Sequence, residues 1–181
     1  SEHGRVDLAG VASADVVSSF DGVSVERLTG ALKLESRNGE VRASGIGAGL
    51  ELTARHGNVE VSDVTGPSKL DVEHGDLSAR KTGPLDVAIQ YGGFDAEGVA
   101  GDLVVRGGHA RVRASDVTGR AEVETSYEGI HLARVGGDVR AKAEHGEVTA
   151  EDVAGSLFAE TTHESVSLDR VDGPVQVVVD H

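Results

Sequence analysis

Histidine is the residue of this chain best suited to chemistry, and seven of its eight copies fall in one register. His3, His56, His74, His109, His145, His163 and His181 are separated by whole multiples of 17 or 18 residues, and Phe20, Asn38, Tyr91 and Tyr127 fill the intervening slots. If each slot were one layer of a stack, successive rings would lie about 4.8 Å apart, close enough for two imidazoles to share a metal ion. His145, His163 and His181 form the longest unbroken run and His56 with His74 forms a pair, so these five are the candidate metal ligands. Against that chemistry, Phe, Tyr and Asn occupy the same slot, which does not suit a ligand set. Rings packed over one another at a turn account for every occupant. The expectation is therefore a structural ladder at the inward or corner side of the chain, with no metal and no other cofactor. His131 is out of register; it alternates with Ile130 and Leu132 and should face solvent.

Catalysis by carboxylates would need Asp or Glu converging with Arg or Lys on one sheet, with long loops to wall a cleft. Every repeat here is 17 or 18 residues, which leaves no such loop. Asp63, Asp116 and Asp152 share a register, but Gly45, Lys81, Gly98 and Arg134 occupy it too, and that mixture points to turn chemistry. No catalytic residue is assigned. Gly-x-Gly strings such as Gly45 to Gly49 lack a following helix and a phosphate-binding Lys, so they make no nucleotide loop.

The element that must position these columns is a repeat. Counting the His/Tyr slot as position one, position four is apolar in all ten repeats: Val6, Val23, Val41, Val59, Leu77, Phe94, Val112, Ile130, Val148 and Val166. Position six is apolar throughout as well, and position nine is apolar except for Thr82. Alternation breaks between six and nine, which requires a corner, and resumes in pairs such as Leu50 and Leu52 or Leu103 and Val105. Short runs of period two bounded by Gly-containing corners are strands with one buried face. No stretch holds a helical three-and-four spacing. The chain is read as one all-β domain, residues 1–181. It is a single-stranded right-handed parallel β-helix of about ten coils, each with roughly three short strands, forming a rod on the order of 50 Å long. Ala9 to Phe20 is the least regular stretch, where a partial cap could sit, and Phe158, between inward Leu157 and Ala159, should be exposed.

Composition agrees. Aromatics are only 3% and Trp, Met and Cys are absent, so Val, Leu, Ile and Ala must fill a narrow layered interior. A formal charge of −14 opposes phosphate backbones and anionic lipid, which makes nucleic acid an unsuitable partner. No apolar run is long enough to insert in a membrane. The chain starts at Ser1 without an initiator Met, so an export or anchor segment is expected to lie outside it.

Segments such as Leu50 to Val61 (LELTARHGNVEV), Leu70 to Ala79 (LDVEHGDLSA) and Val139 to Ala150 (VRAKAEHGEVTA), with Asp-Val-x-Gly corners at Asp63, Asp116 and Asp152, resemble a bacterial β-strand-repeat domain of unknown function that carries an adhesin label. Bactofilin-like solenoids are a weaker second resemblance. The first implies an extracytoplasmic, envelope-associated protein with no catalytic motif. The expected function is a non-enzymatic binding surface, rigid spacer or scaffold. Its partners would be a protein or glycan surface, and a second copy stacked end to end through the valines of the last coil. A polysaccharide-active β-helix enzyme and a metal-binding His ladder are the alternatives.

Overall fold

The structure is a computed structural model that describes residues 5–20 and 22–180. The expectations for His3 and His181 lie outside the described residues.

Among the described residues, eighteen parallel strands form two ladders, one on each side of an apolar interior. In the coil opened by His56, Val59–Val64 lies on the first face and Ser68–His74 on the second. Val59–Val64 pairs with Val41–Ile46 below and Leu77–Thr82 above, while Ser68–His74 pairs with Leu50–His56 and with the start of Leu85–Val99. Two strands, Leu85–Val99 and Leu103–Val117, run from one face into the other without a break. The result is an all-β solenoid of about ten turns with no helix among the described residues.

The coil holds two strands rather than the expected three, and the reason is local. Position eight is left-handed in every coil, with φ of 53° at Asp63, 50° at Lys81, 57° at Asp116, 55° at Arg134 and 53° at Asp152, and with Gly45 and Gly98 in the same column. One left-handed residue shifts the side-chain parity and is skipped by the pairing register, which passes from Ser62↔Arg80 directly to Val64↔Thr82. The break in alternation is thus a kink inside one strand, not a corner between two. Asp63, Asp116 and Asp152 sit at this left-handed kink inside a strand, a conformation that a short polar side chain tolerates, rather than at a turn between strands.

Inward columns follow the sequence pattern. Positions four, six and nine are buried in the interior coils, for example Val59 at 2%, Val61 at 0% and Val117 at 0% exposure. The Gly column beside the ring slot has a steric cause. A Cβ at Gly57 would lie 2.1 Å from the Gly39 carbonyl oxygen, and one at Gly75 would lie 2.2 Å from that of Gly57, far inside contact distance. At these coils the layers approach so closely that a side chain is excluded, whereas Ala110, Glu128 and Glu164 hold the same slot further along.

Three hydroxyls sit in the interior without a hydrogen-bond partner, Ser36 Oγ, Ser68 Oγ and Thr82 Oγ1. The stretch expected to hold a cap does not. Ala14–Ser18 is a strand paired in register with Leu32–Asn38, and Val16 and Ser18 are buried as in any other coil. Ser18 shares its inward column with the buried hydroxyl residues Ser36, Thr125 and Thr161, so a hydroxyl there belongs to the repeat. At the other end, Val175, Val177 and Val179 are 48%, 42% and 42% exposed, because no further layer covers them in the described chain.

Candidate functional site

Four features of the surface bring chemistry-bearing residues together. The first is the ring column. His56, His74, Tyr91, His109, Tyr127, His145 and His163 form one continuous file along a corner, with centroid separations between 4.3 and 5.6 Å. From His74 to His163 the rings are stacked within 20° of parallel, while His56 meets His74 edge-on at 87°. Asn38 occupies the slot below and donates from Nδ2 to the Ser19 carbonyl at 3.0 Å. The sequence left the rings inward or at the corner; they are exposed, with Tyr91 at 46% and Tyr127 at 51%. At His56, His74 and Tyr91 the next residue is a left-turning Gly, which ends the strand parity there.

This geometry bears on the metal candidates. Imidazole binds an ion in the ring plane, about 2.0–2.1 Å from nitrogen. His145 and His163 lie 5.6 Å apart with planes only 3° from parallel, and two parallel planes share no point at which one ion could bond both. In the His56–His74 pair, His56 Nδ1 donates to the Arg55 carbonyl at 2.7 Å, which leaves Nε2 as the ring's free acceptor. Among the described residues no group of three or more His, Asp or Glu is placed to hold a metal ion. Nor does the file offer a stacking platform, since the ring faces cover one another.

The second feature is a charge ladder on the left-handed column. Arg134 clamps Asp116 with two hydrogen bonds, Nε to Oδ1 at 2.7 Å and Nη2 to Oδ2 at 2.8 Å, and Arg170 clamps Asp152 in the same way two coils on. The Arg134 hydrogen bond holds the Asp116 carboxyl below its ordinary range, and Arg170 does the same for Asp152. Both guanidinium groups are raised in return. On the second face, Asp138 is lowered by hydrogen bonds from the Ser156 hydroxyl and then the Ser156 backbone N–H. These are coil-to-coil braces on an exposed surface.

The third feature is a shallow depression of about 350 Å³ on the first face, lined by Arg80, Asp95, Glu97, Arg113, His131 and Arg134 among others. Asp95, Arg113 and His131 are successive members of one outward column, and His131 faces solvent as expected. The fourth is a depression of about 530 Å³ on the second face, lined by Arg120, Glu122, Asp138, Arg140, Phe158 and Gln176 among others. Phe158 differs from expectation here. It points outward but is only half-exposed, because the Arg140 guanidinium lies 4.8 Å from the centroid of its ring.

Neither depression was found from sequence. The signal was present in the outward positions: a whole-repeat step places Arg113 beside Asp95, and Arg140 and Gln176 on either side of Phe158. No helix among the described residues is long and apolar enough to cross a membrane. Comparisons with family models, curated proteins and solved structures find no match, so the resemblance to the adhesin-labelled repeat group and to bactofilins rests on the repeat pattern alone.

Proposed function

We propose that this chain is a non-enzymatic, rigid β-solenoid that serves in a bacterial envelope as a spacer or scaffold with adhesin-like binding sides. The observation that carries this reading is the unbroken register. From Val23 to Val153 the first-face column pairs coil on coil, with no loop inserted to wall a cleft. Parallel pairing on two faces resists bending, and a net charge of −14 suits an extended, solvated surface. An envelope location is what the resemblance to the adhesin-labelled group implies. End-to-end stacking belongs to the same reading. The exposed Val175, Val177 and Val179 offer the layer that every interior coil already pairs with, and a second copy or further coils of a longer chain would cover it equally.

One specific observation favours the enzymatic alternative. Asp95 and Glu97 project from the same strand into the first-face depression beside Arg113 and His131. Two carboxylates on one outward face, with a His and an Arg beside them, are the residue types that glycoside hydrolysis uses. The deciding experiment incubates the chain with neutral and acidic polysaccharides and assays new reducing ends. The spacer reading expects no turnover. Turnover abolished by Glu97→Gln would replace it with the enzymatic one.

A further inference from the structure

We propose that the second-face depression around Phe158 is a binding subsite for a neutral sugar residue of a glycan chain. This rests on the reading of the sides as binding surfaces and names the ligand class that one of them takes.

Phe158 lies in the outward column Glu122, Arg140, Phe158, Gln176, one residue per coil. Arg140 has a carboxylate, Glu122, directly beside it in the previous coil, and opposite charges one coil apart pair elsewhere on this face, as Lys142 and Glu160 do at 3.3 Å. Yet among the described residues Arg140 and Glu122 make no ion pair with each other, and Arg140 turns to the Phe158 ring instead. A partly exposed aromatic ring, a guanidinium held by its contact with that ring, and a carboxylate that makes no ion pair with it thus converge in one depression of about 530 Å³, within the ordinary size range of small-molecule sites.

The chemistry that fits is amphipathic in a particular way. A pyranose ring has an apolar C–H face, which the half-exposed Phe158 ring can cover, and a rim of hydroxyls that both donate and accept. Glu122 can accept from that rim, Arg140 can donate to it, and the Gln176 amide can do both. The mixture of signs, with Arg120 and Arg140 facing Glu122 and Asp138, gives no net preference for a charged ligand, while the −14 chain as a whole repels polyanions. A neutral sugar meets all these conditions. The repeat along the rod leaves the depression open at its sides, so the residue bound can belong to a longer chain.

The test exploits composition, since the protein has only three Phe. Fluorophenylalanine labelling gives three resonances, from Phe20, buried Phe94 and Phe158, and Phe158→Val identifies the third while keeping a good strand former on the outward face. Neutral gluco-, manno-, galacto- and N-acetylglucosamine oligosaccharides are titrated to about 10 mM, a range that covers weak single-subsite binding. The expected result is a saturable shift of the Phe158 signal with at least one series and, by isothermal calorimetry with that oligosaccharide on the unlabelled proteins, affinity reduced about tenfold or more in Phe158→Val and retained in Phe158→Tyr. No shift with any neutral series, a shift only with acidic polymers or peptides, or equal binding by Phe158→Val would each overturn the proposal. None of these outcomes touches the rod itself, whose rigidity is read separately by a distance between labels on the first face.

Discussion

Placing a carboxylate at position nine tests whether the column is interior. Val117 is 0% exposed and stacks between Val99 and Val135, all three in one inward file. In Val117→Asp the lost apolar burial is about 2 kcal/mol, and an unpartnered neutral carboxyl costs about 1–3 kcal/mol more. Holding the group neutral at pH 7 against a free value near 3.9 adds about 4 kcal/mol. The sum, about 7–9 kcal/mol, is an upper bound, because opening one coil edge relieves part of it. It is comparable to the whole stability of an ordinary domain. The pH dependence is diagnostic. The folded-state value of the new carboxyl is raised, so the deficit relative to the parent grows as pH rises above about 4 and shrinks toward pH 4, where the unfolded chain is protonated too. Glu122→Lys, on the exposed outward face, should change stability by less than about 0.5 kcal/mol at any of these pH values. Urea titrations of parent and both variants at pH 4.5 and 7.5 supply the numbers. Equal small losses, or a Val117→Asp deficit independent of pH, would refute the assigned register.

Thr82 interrupts the same column between Val64 and Val99 with an unpartnered hydroxyl, so Thr82→Val should raise stability by about 1 kcal/mol, read as a higher urea midpoint at unchanged slope. Asp116 and Asp152 have lowered folded-state values, so what they contribute is present above about pH 4 and is lost as pH falls below it through those lowered values. The double variant Asp116→Asn, Asp152→Asn should therefore lie closest to the parent in acid and fall furthest behind near neutrality in melts across pH 2–7. Zinc should leave the melting temperature unchanged, because the parallel His145 and His163 planes cannot share an ion; calorimetry showing tight stoichiometric binding that His163→Ala removes would contradict this. Val177→Lys should lower any concentration-dependent light scattering of the chain, since it puts a charge into the exposed terminal layer.

The layered interior was legible because its signal is redundant. Each apolar column is repeated ten times, so Thr82 could depart from its column without obscuring the period. The ring file was legible for the same reason. The number of strands per coil was not, since a left-handed residue such as Lys81 or Arg134 has no strong sequence mark and looks like a corner when only alternation is read. The depressions were hidden for a different reason. Outward positions vary from coil to coil, and whether Arg140 pairs with Glu122 or covers Phe158 depends on competing exposed contacts of similar strength.

The claim that the chain is one rigid, in-register rod is tested most directly by a distance. Ser24 and Thr149 occupy the same outward column seven coils apart, and the protein has no Cys, so Ser24→Cys with Thr149→Cys gives a unique pair of sites for spin labels. At about 4.8 Å per layer the backbone separation should be about 34 Å, and pulsed electron–electron spectroscopy should return a single narrow distribution near it. A broad distribution, or one centred well away from that value, would contradict the stacked register on which the spacer function depends.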